Sequence, residues 1–450
     1  MTPIDLILKG GTVVTSSSQQ RADVAIAGET ICAVAPDIIA TETTKVIDVT
    51  GKLLLPGAID VHVHPVYVDD IEACSRVAAY GGTTTLCHFV YAHKGQSLYD
   101  ATAALLEEGQ ANSRTDFGLH SAMFDAPNQI LEIERTMELG IRTFKFFTTY
   151  VKQGWTTDDY QLTKAMDILA ANGCMAMVHP ENGGAIDYLE DKYLTGPDAS
   201  AAHFNISRPA ALEEEATFRA LRLAEITNCP LYVVHVTTAR SLRHIEHARA
   251  SGQMVHAETC VQYLNLTQDI LNEYGALAKI GPPIRTAEDR EALWIGLRDN
   301  ILQAVSSDHA PKIKDPSIEF LEQSFGSPQV ETVMPLTYDE GINKGRISLE
   351  RLVQVLSENP ARIFGLYPKK GAIAVGSDAD IIVFDPKREF TINKENQHTN
   401  AGYTLYAGRS VLGWPEMTFQ RGKPVLRDGE IVAEPGQGQF LTLEPTKTLV

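Results

Sequence analysis

The sequence predicts an α/β protein: a TIM (β/α)8 barrel carrying a small β-sandwich domain formed by both chain termini. Three observations predict it. Both ends of the chain are rich in short β-branched runs broken by glycine turns. The middle alternates short apolar runs with amphipathic stretches. Histidine, lysine and aspartate recur at or near the ends of those runs, and catalytic groups of barrels sit at the C-terminal ends of strands.

The first element is a β segment. Ile4–Leu8 runs through Gly10-Gly11 into Thr12–Thr15, and Asp23–Ile26 turns at Gly28-Glu29 into Thr30–Val34. β-Branched residues flanking glycine turns indicate hairpins. The same texture returns at the far end in Ala379–Phe384, Met417–Gln420, Gly422–Val425 and Gly429–Val432. These ends are expected to form one composite domain, residues 1–53 plus 371–450, around a barrel of residues 54–370. Eight apolar runs are expected as the barrel strands: Leu55–His64, Thr83–Phe89, Phe117–Met123, Thr143–Thr148, Met175–His179, Leu231–His235, Met254–Glu258 and Ala304–Asp308. Continuous apolar strands alternating with helices argue for a parallel sheet covered on both faces. Helices are expected at Glu213–Thr227, Ala239–Ser251 and Glu288–Asn300, the first opening on the acidic run Glu213-Glu214-Glu215, which suits a helix N-terminus.

Composition narrows the function. The 450 residues carry a formal net charge of −18, with 44% hydrophobic and 21% charged residues. So acidic a surface repels phosphate backbones and anionic lipid, which argues against nucleic acid and membrane as partners. No apolar run reaches the ~18 residues of a membrane span. Met1–Asp5 shows no basic leader. Six cysteines without a CxxC pair are expected as reduced thiols of a cytoplasmic protein.

The chemistry gathers at the run ends. His62 and His64 are two apart on one strand and so face one way. Lys145 sits within Phe144-Lys145-Phe146-Phe147, and His179, His235 and Asp308 close three further runs. Each has an ordinary alternative when taken alone: a core histidine, a helix cap, a snorkelling lysine. Together they specify a site for first-row metals, with imidazole favouring zinc-like ions. An ammonium among aromatic rings and near cations is driven to lose its proton. The neutral amine can then take up carbon dioxide, giving a carbamate able to bridge two metals.

On these residues the chain resembles the cyclic amidohydrolases, in the hydantoinase/dihydropyrimidinase branch. The motifs are Leu55–His64, Phe144-Lys145, Val178–Gly183, Val233–Val236, Glu258–Leu264, Gly281–Arg285, Ser307–Pro311, Asn359–Ala361, Phe364-Gly365 and Gly376–Asp380. The resemblance implies two divalent metals, most often Zn2+ with Mn2+ or Co2+ as substitutes. His62, His64 and Asp308 would hold one, His179 and His235 the other, and carboxylated Lys145 would bridge them. Asp308 would shuttle a proton, and Tyr150 would polarise the scissile carbonyl. Backbone near Gly281 and after Glu258 would hold the imide edge. The partners implied are a small cyclic amide and further copies of the chain, as a tetramer or dimer.

Some positions depart from the pattern. The segment Pro65–Asp70 is short, Gly281 replaces a common serine, and Phe325 falls where an asparagine often binds the ring. The dihydroorotase arginine after the HxH pair is replaced by Pro65-Val66. The expected reaction is hydrolysis of neutral hydantoins or dihydrouracils to N-carbamoyl amino acids, with bulky or aromatic substituents accepted. The alternatives are an allantoinase, a divergent lactam or imide hydrolase, and a non-catalytic assembly protein of the same fold.

Overall fold

The protein is described by a computed structural model covering residues 3–195, 200–315 and 317–450. Met1 and Thr2, the start of the segment read for a leader, lie outside these residues. Strands β1 (Leu6–Val14), β2 (Gln19–Ala27), β3 (Thr30–Ala35), β4 (Lys45–Asp48) and β5 (Leu53–Pro56) open the chain. The barrel strands follow: β6 (Ala58–Val63), β7 (Thr83–Ala92), β8 (Asp116–Met123), β9 (Thr143–Phe147), β10 (Met175–His179), β11 (Leu231–Val233), β12 (Val255–Cys260) and β13 (Ala304–Ser306). β14 (Ile381–Thr391), β15 (Ser410–Gln420), β16 (Lys423–Arg427) and β17 (Glu430–Ile431) close it.

Strands β6 to β13 form one eight-stranded sheet in sequence order, every neighbouring pair parallel. Its first and last strands meet: Val63 bridges His309, the His64 N–H donates to the His309 carbonyl at 2.9 Å, and Ser307 Oγ donates to the His62 carbonyl at 3.1 Å. All eight expected runs supply a barrel strand. The strands are buried along almost their whole length, as two-sided coverage by helices requires.

Both chain ends join in a mixed nine-stranded sheet ordered β17-β16-β15-β14-β5-β1-β2-β3, with β4 parallel to β1. Leu8, Val24, Ile26, Ile381, Val383 and Phe419 form part of its own apolar core. One expectation needs correcting here. The run Leu55–His64 is two elements, not one: β5 pairs with β14 in the terminal sheet, and only β6 enters the barrel. The crossing point is Gly57, whose N–H donates to the Asp380 carbonyl at 2.9 Å. A Cβ there would run into the Thr84 side chain, so only glycine lets the chain pass so close.

The helices fall where the periodicity puts them, at Ala210–Thr227, Ala239–Ala250 and Ala287–Arg298. Thr238 and Thr286 cap the last two by accepting from Ser241 N and Asp289 N. Glu213 lies in the first turn of its helix, as expected, and also makes contacts beyond it. It is buried and accepts from Thr237 N at 3.0 Å and Arg285 Nη2 at 3.2 Å.

Candidate metal centre

The strand ends bring the expected side chains to one place. His62 lies in β6 with His64 just beyond it. Lys145 is the middle residue of β9, and His179 ends β10. His235 and Asp308 each follow their strand by two residues, and all six are buried. The strand alternation turns His62 and His64 inward together, as expected. His235 (φ 38°), Asp308 (φ 50°) and Tyr150 (φ 62°) all take left-handed backbone. Such conformations cost of order 1–3 kcal/mol each in non-glycine residues and cluster where a side chain must be aimed.

Two groups of ligand atoms result. Asp308 Oδ1 lies 3.0 Å from His64 Nε2 and 3.2 Å from His62 Nε2, and Lys145 Nζ lies 2.9 Å from His62 Nε2. Beside them His179 Nδ1 and His235 Nε2 are 3.0 Å apart. The His62 and His235 rings, 5.4 Å between centroids, join the two groups.

The outward faces of these rings show that the inward nitrogens are reserved. His62 Nδ1 is held by Glu258, His64 Nδ1 by the Tyr91 hydroxyl at 3.0 Å, and His179 Nε2 by Glu181 at 2.8 Å. A ligating histidine is oriented in this way by a partner on its other nitrogen. His235 Nδ1 is buried and has no hydrogen-bond partner among the described residues. Two imidazoles facing each other at 3.0 Å, and two more around one carboxylate oxygen, leave lone pairs aimed at a common space. This donor set of nitrogen and carboxylate oxygen fits divalent first-row metals. His62, His64 and Asp308 form one candidate metal-binding cluster among the described residues, and His62, Glu258 and Cys260 form another.

Comparison with known proteins follows the same line. Residues 53–425 match the Amidohydrolase family. The chain belongs to that family. It is 38% identical to a D-hydantoinase of Ralstonia pickettii over 97% of this chain and 98% of that protein. It is 32% identical to an L-hydantoinase of Paenarthrobacter aurescens over 97% and 98%. The crystal structure of a dihydropyrimidinase from Brevibacillus agri superposes with a TM-score of 0.92 at 36% identity, covering 98% of each chain.

In this amidohydrolase the centre forms the floor of a cavity of about 160 Å³. Tyr67, Tyr91, Phe124, Phe147, Trp155 and Phe325 make its aromatic walls. Tyr150 lines it too, its ring 5.4 Å from that of His179, and burial holds its phenol well above the usual range, so it stays an O–H donor. Gly281 also faces the cavity. A Cβ there would lie 3.0 Å from Phe325 and 3.2 Å from the Tyr150 hydroxyl. Glycine at 281 and phenylalanine at 325, noted separately in the sequence, are therefore one packing unit. The short segment after His64 contributes Tyr67, whose hydroxyl meets that of Tyr91 at 3.0 Å.

Burial sets the charge states. It pushes the Lys145 ammonium below its usual range and the Asp308 and Glu258 carboxyls above theirs, while His62, His64 and His235 are held well below the ordinary imidazole value. Burial likewise opposes charge on Glu181, but Arg208 and His179 outweigh it and hold that carboxylate at about 2. His309, next to Asp308, points elsewhere: its Nε2 meets Asp69 at 3.1 Å and its Nδ1 accepts from Gln329 N at 3.1 Å.

Four residues of the amidohydrolase site carried no assigned role in the sequence reading: Glu258, Tyr91, Glu181 and Arg208. Glu258 ends an expected run, so its position was a signal. Tyr91 lies beyond the expected end of its strand, because β7 extends to Ala92.

Proposed function

We propose that this chain hydrolyses a cyclic amide, imide or ureide ring, in the manner of its hydantoinase and dihydropyrimidinase relatives, to give an N-carbamoyl amino acid type of product. The observation that carries the reading is the convergence of His62 Nε2, His64 Nε2, Asp308 Oδ1, Lys145 Nζ and the His179–His235 pair at the floor of one aromatic cavity. Two divalent ions, zinc first among them, fit this donor set. His62, His64 and Asp308 would hold one, His179 and His235 the other, and Lys145, carboxylated by carbon dioxide, both. Bound there, such ions supply a water acidic enough to ionise near neutral pH and a Lewis acid for the carbonyl.

The chain's own residues do the rest. The aromatic walls exclude bulk water and hold a flat ring. The Tyr150 hydroxyl donates to the carbonyl oxygen, where negative charge develops as the carbon becomes tetrahedral. Asp308 takes the proton of the attacking water and passes it to the leaving ring nitrogen. Backbone at Gly281 and beyond Glu258 borders the imide edge. A homo-oligomer and a cytoplasmic location accord with this reading.

The test is a metal-stripped and reloaded protein assayed on hydantoin, dihydrouracil, glutarimide, allantoin and dihydroorotate. Ring opening should vanish with a chelator and return with zinc or manganese. Lys145→Ala should lose both metal and activity, and Asp308→Asn should lose about 10²–10⁴ in kcat. A fully metallated protein that opens none of these rings would refute the proposal.

A further inference from the structure

The cavity carries a charge that neither its walls nor the proposed chemistry uses. Among the described residues lining it, Lys312 is the only side-chain cation besides Lys145. It is half-buried, with its ammonium 4.0 Å above the centroid of the Tyr67 ring. The Tyr67 hydroxyl leads through Tyr91 to His64 Nδ1, so Lys312 lines the same cavity as the candidate metal centre and is linked to one end of it through two tyrosines.

The two lysines nearby have structural duties. Lys279 Nζ donates to the carbonyls of Phe320, Leu321 and Gln323 at 2.6–2.9 Å. Lys314 Nζ donates to those of Leu277 and Lys279 at 3.0 Å. Lys312 forms no such bond and no ion pair among the described residues. Its ring contact holds it in place without neutralising it. Burial with no counter-charge pushes its pKa down to about 8. A partly desolvated ammonium facing a binding cavity is stabilised by an anion delivered there, and discriminates strongly between an anion and its neutral isostere.

We propose that Lys312 is a specificity-determining residue that binds a carboxylate on the substituent of the ring undergoing hydrolysis. The inference rests on the hydrolase reading and names the substrate class within it: a cyclic amide with an acidic side chain. It also revises the expectation of neutral substrates, which was drawn from the lack of an arginine after His64. The cation comes instead from the segment after Asp308. A ring lying on the metal floor would direct its substituent along Tyr67 to the Lys312 ammonium, with Gln153 and Ser324 as the polar residues elsewhere on the cavity wall.

The experiment compares 5-(2-carboxyethyl)hydantoin with 5-(2-carbamoylethyl)hydantoin, which match in shape and differ in charge. Wild-type protein loaded with zinc, Lys312→Met and Lys312→Arg are measured on both. The readout is the ratio of the two kcat/KM values within each protein, so general damage by a substitution cancels. If a ring is bound but not opened, the ratio of calorimetric Kd values replaces it. The wild type should favour the carboxylate at least ~10-fold, in line with hydrogen bonds to charged groups. Lys312→Met should bring the ratio to within about twofold of unity, and Lys312→Arg should keep most of the preference. Equal ratios in the wild type, or a preference that survives in Lys312→Met, would overturn the assignment. Failure to open either ring, with the charge preference intact in binding, would count against the hydrolase reading alone.

Discussion

Glu258 shows how much of the centre depends on a residue that is not among its expected ligands. Its carboxylate takes His62 Nδ1, the Tyr232 hydroxyl at 3.0 Å and the His235 N–H at 3.3 Å, and so ties both halves of the site together. Replacing it by glutamine keeps the volume and an acceptor for Tyr232 but turns an NH2 toward His62 Nδ1, removing the oxygen that fixes the His62 tautomer. Glu258→Gln should therefore weaken metal binding by about 10–100-fold with the fold intact. Zinc titration against a competing chelator checks this, and an unchanged affinity would remove Glu258 from the role. His62 and His64 were legible in the sequence because strand alternation is a local rule and the pair lies two residues apart. The His62–Glu258 contact was not. Its partners are 196 residues apart, and no local pattern records which side chains meet across a barrel. The left-handed backbone at Tyr150, His235 and Asp308 was equally hidden, since sequence rules assign such angles to glycine first.

At the scale of elements the sequence was informative about which segments become strands and less so about where each belongs. A run of apolar residues announces burial, but β5 and β6 are both buried, and they lie in different sheets. What separates them is the close approach at Gly57, a property of the packed fold. Gly57→Ala would bring its Cβ within 2.8 Å of Thr84 Cγ2 and closer still to Thr84 Oγ1. Overpacking of this kind costs about 1–3 kcal/mol. The expected result is a lower thermal midpoint for Gly57→Ala, partly restored in Gly57→Ala/Thr84→Ala. A single variant as stable as the wild type would show that the crossing has room to relax. The Glu213 run lies at the start of its helix as expected, but the inward turn of Glu213 was not legible: helix electrostatics is local, while the Arg285 that draws Glu213 inward lies 72 residues away.

Across the whole molecule, barrel and terminal sheet are locked by buried charge as well as by apolar contact. Lys370 Nζ meets Asp380 at 2.7 Å and Asp378 at 2.8 Å, and also pairs with Asp116 at the start of β8. Arg421 from the terminal sheet reaches the same Asp116. Burial alone would push the Lys370 ammonium down, but Asp380 and Asp378 outweigh it and hold it above 10.5. A raised lysine pKa means a contribution fully present below 10.5 and lost as pH climbs through the raised value. Lys370→Met leaves buried carboxylates without their cation and should cost about 3–5 kcal/mol at neutral pH. The gap to the wild type should narrow in strong alkali. Denaturant midpoints across that range measure it, and a variant matching the wild type at pH 7 would show the network to be dispensable.

The terminal sheet also sets a timetable for the chain's birth. β5 finds its partner β14 at Leu54–Val383, roughly 330 residues later in the sequence. At ~5–20 residues per second, a ribosome takes roughly 15–65 s to make that partner. Throughout this interval the hairpins at the emerging end keep an unpaired strand edge and an uncovered apolar face, the features most prone to associate with other chains. The segment most in need of shelter by a chaperone is therefore β1 to β5, and its exposure ends only when β14 arrives.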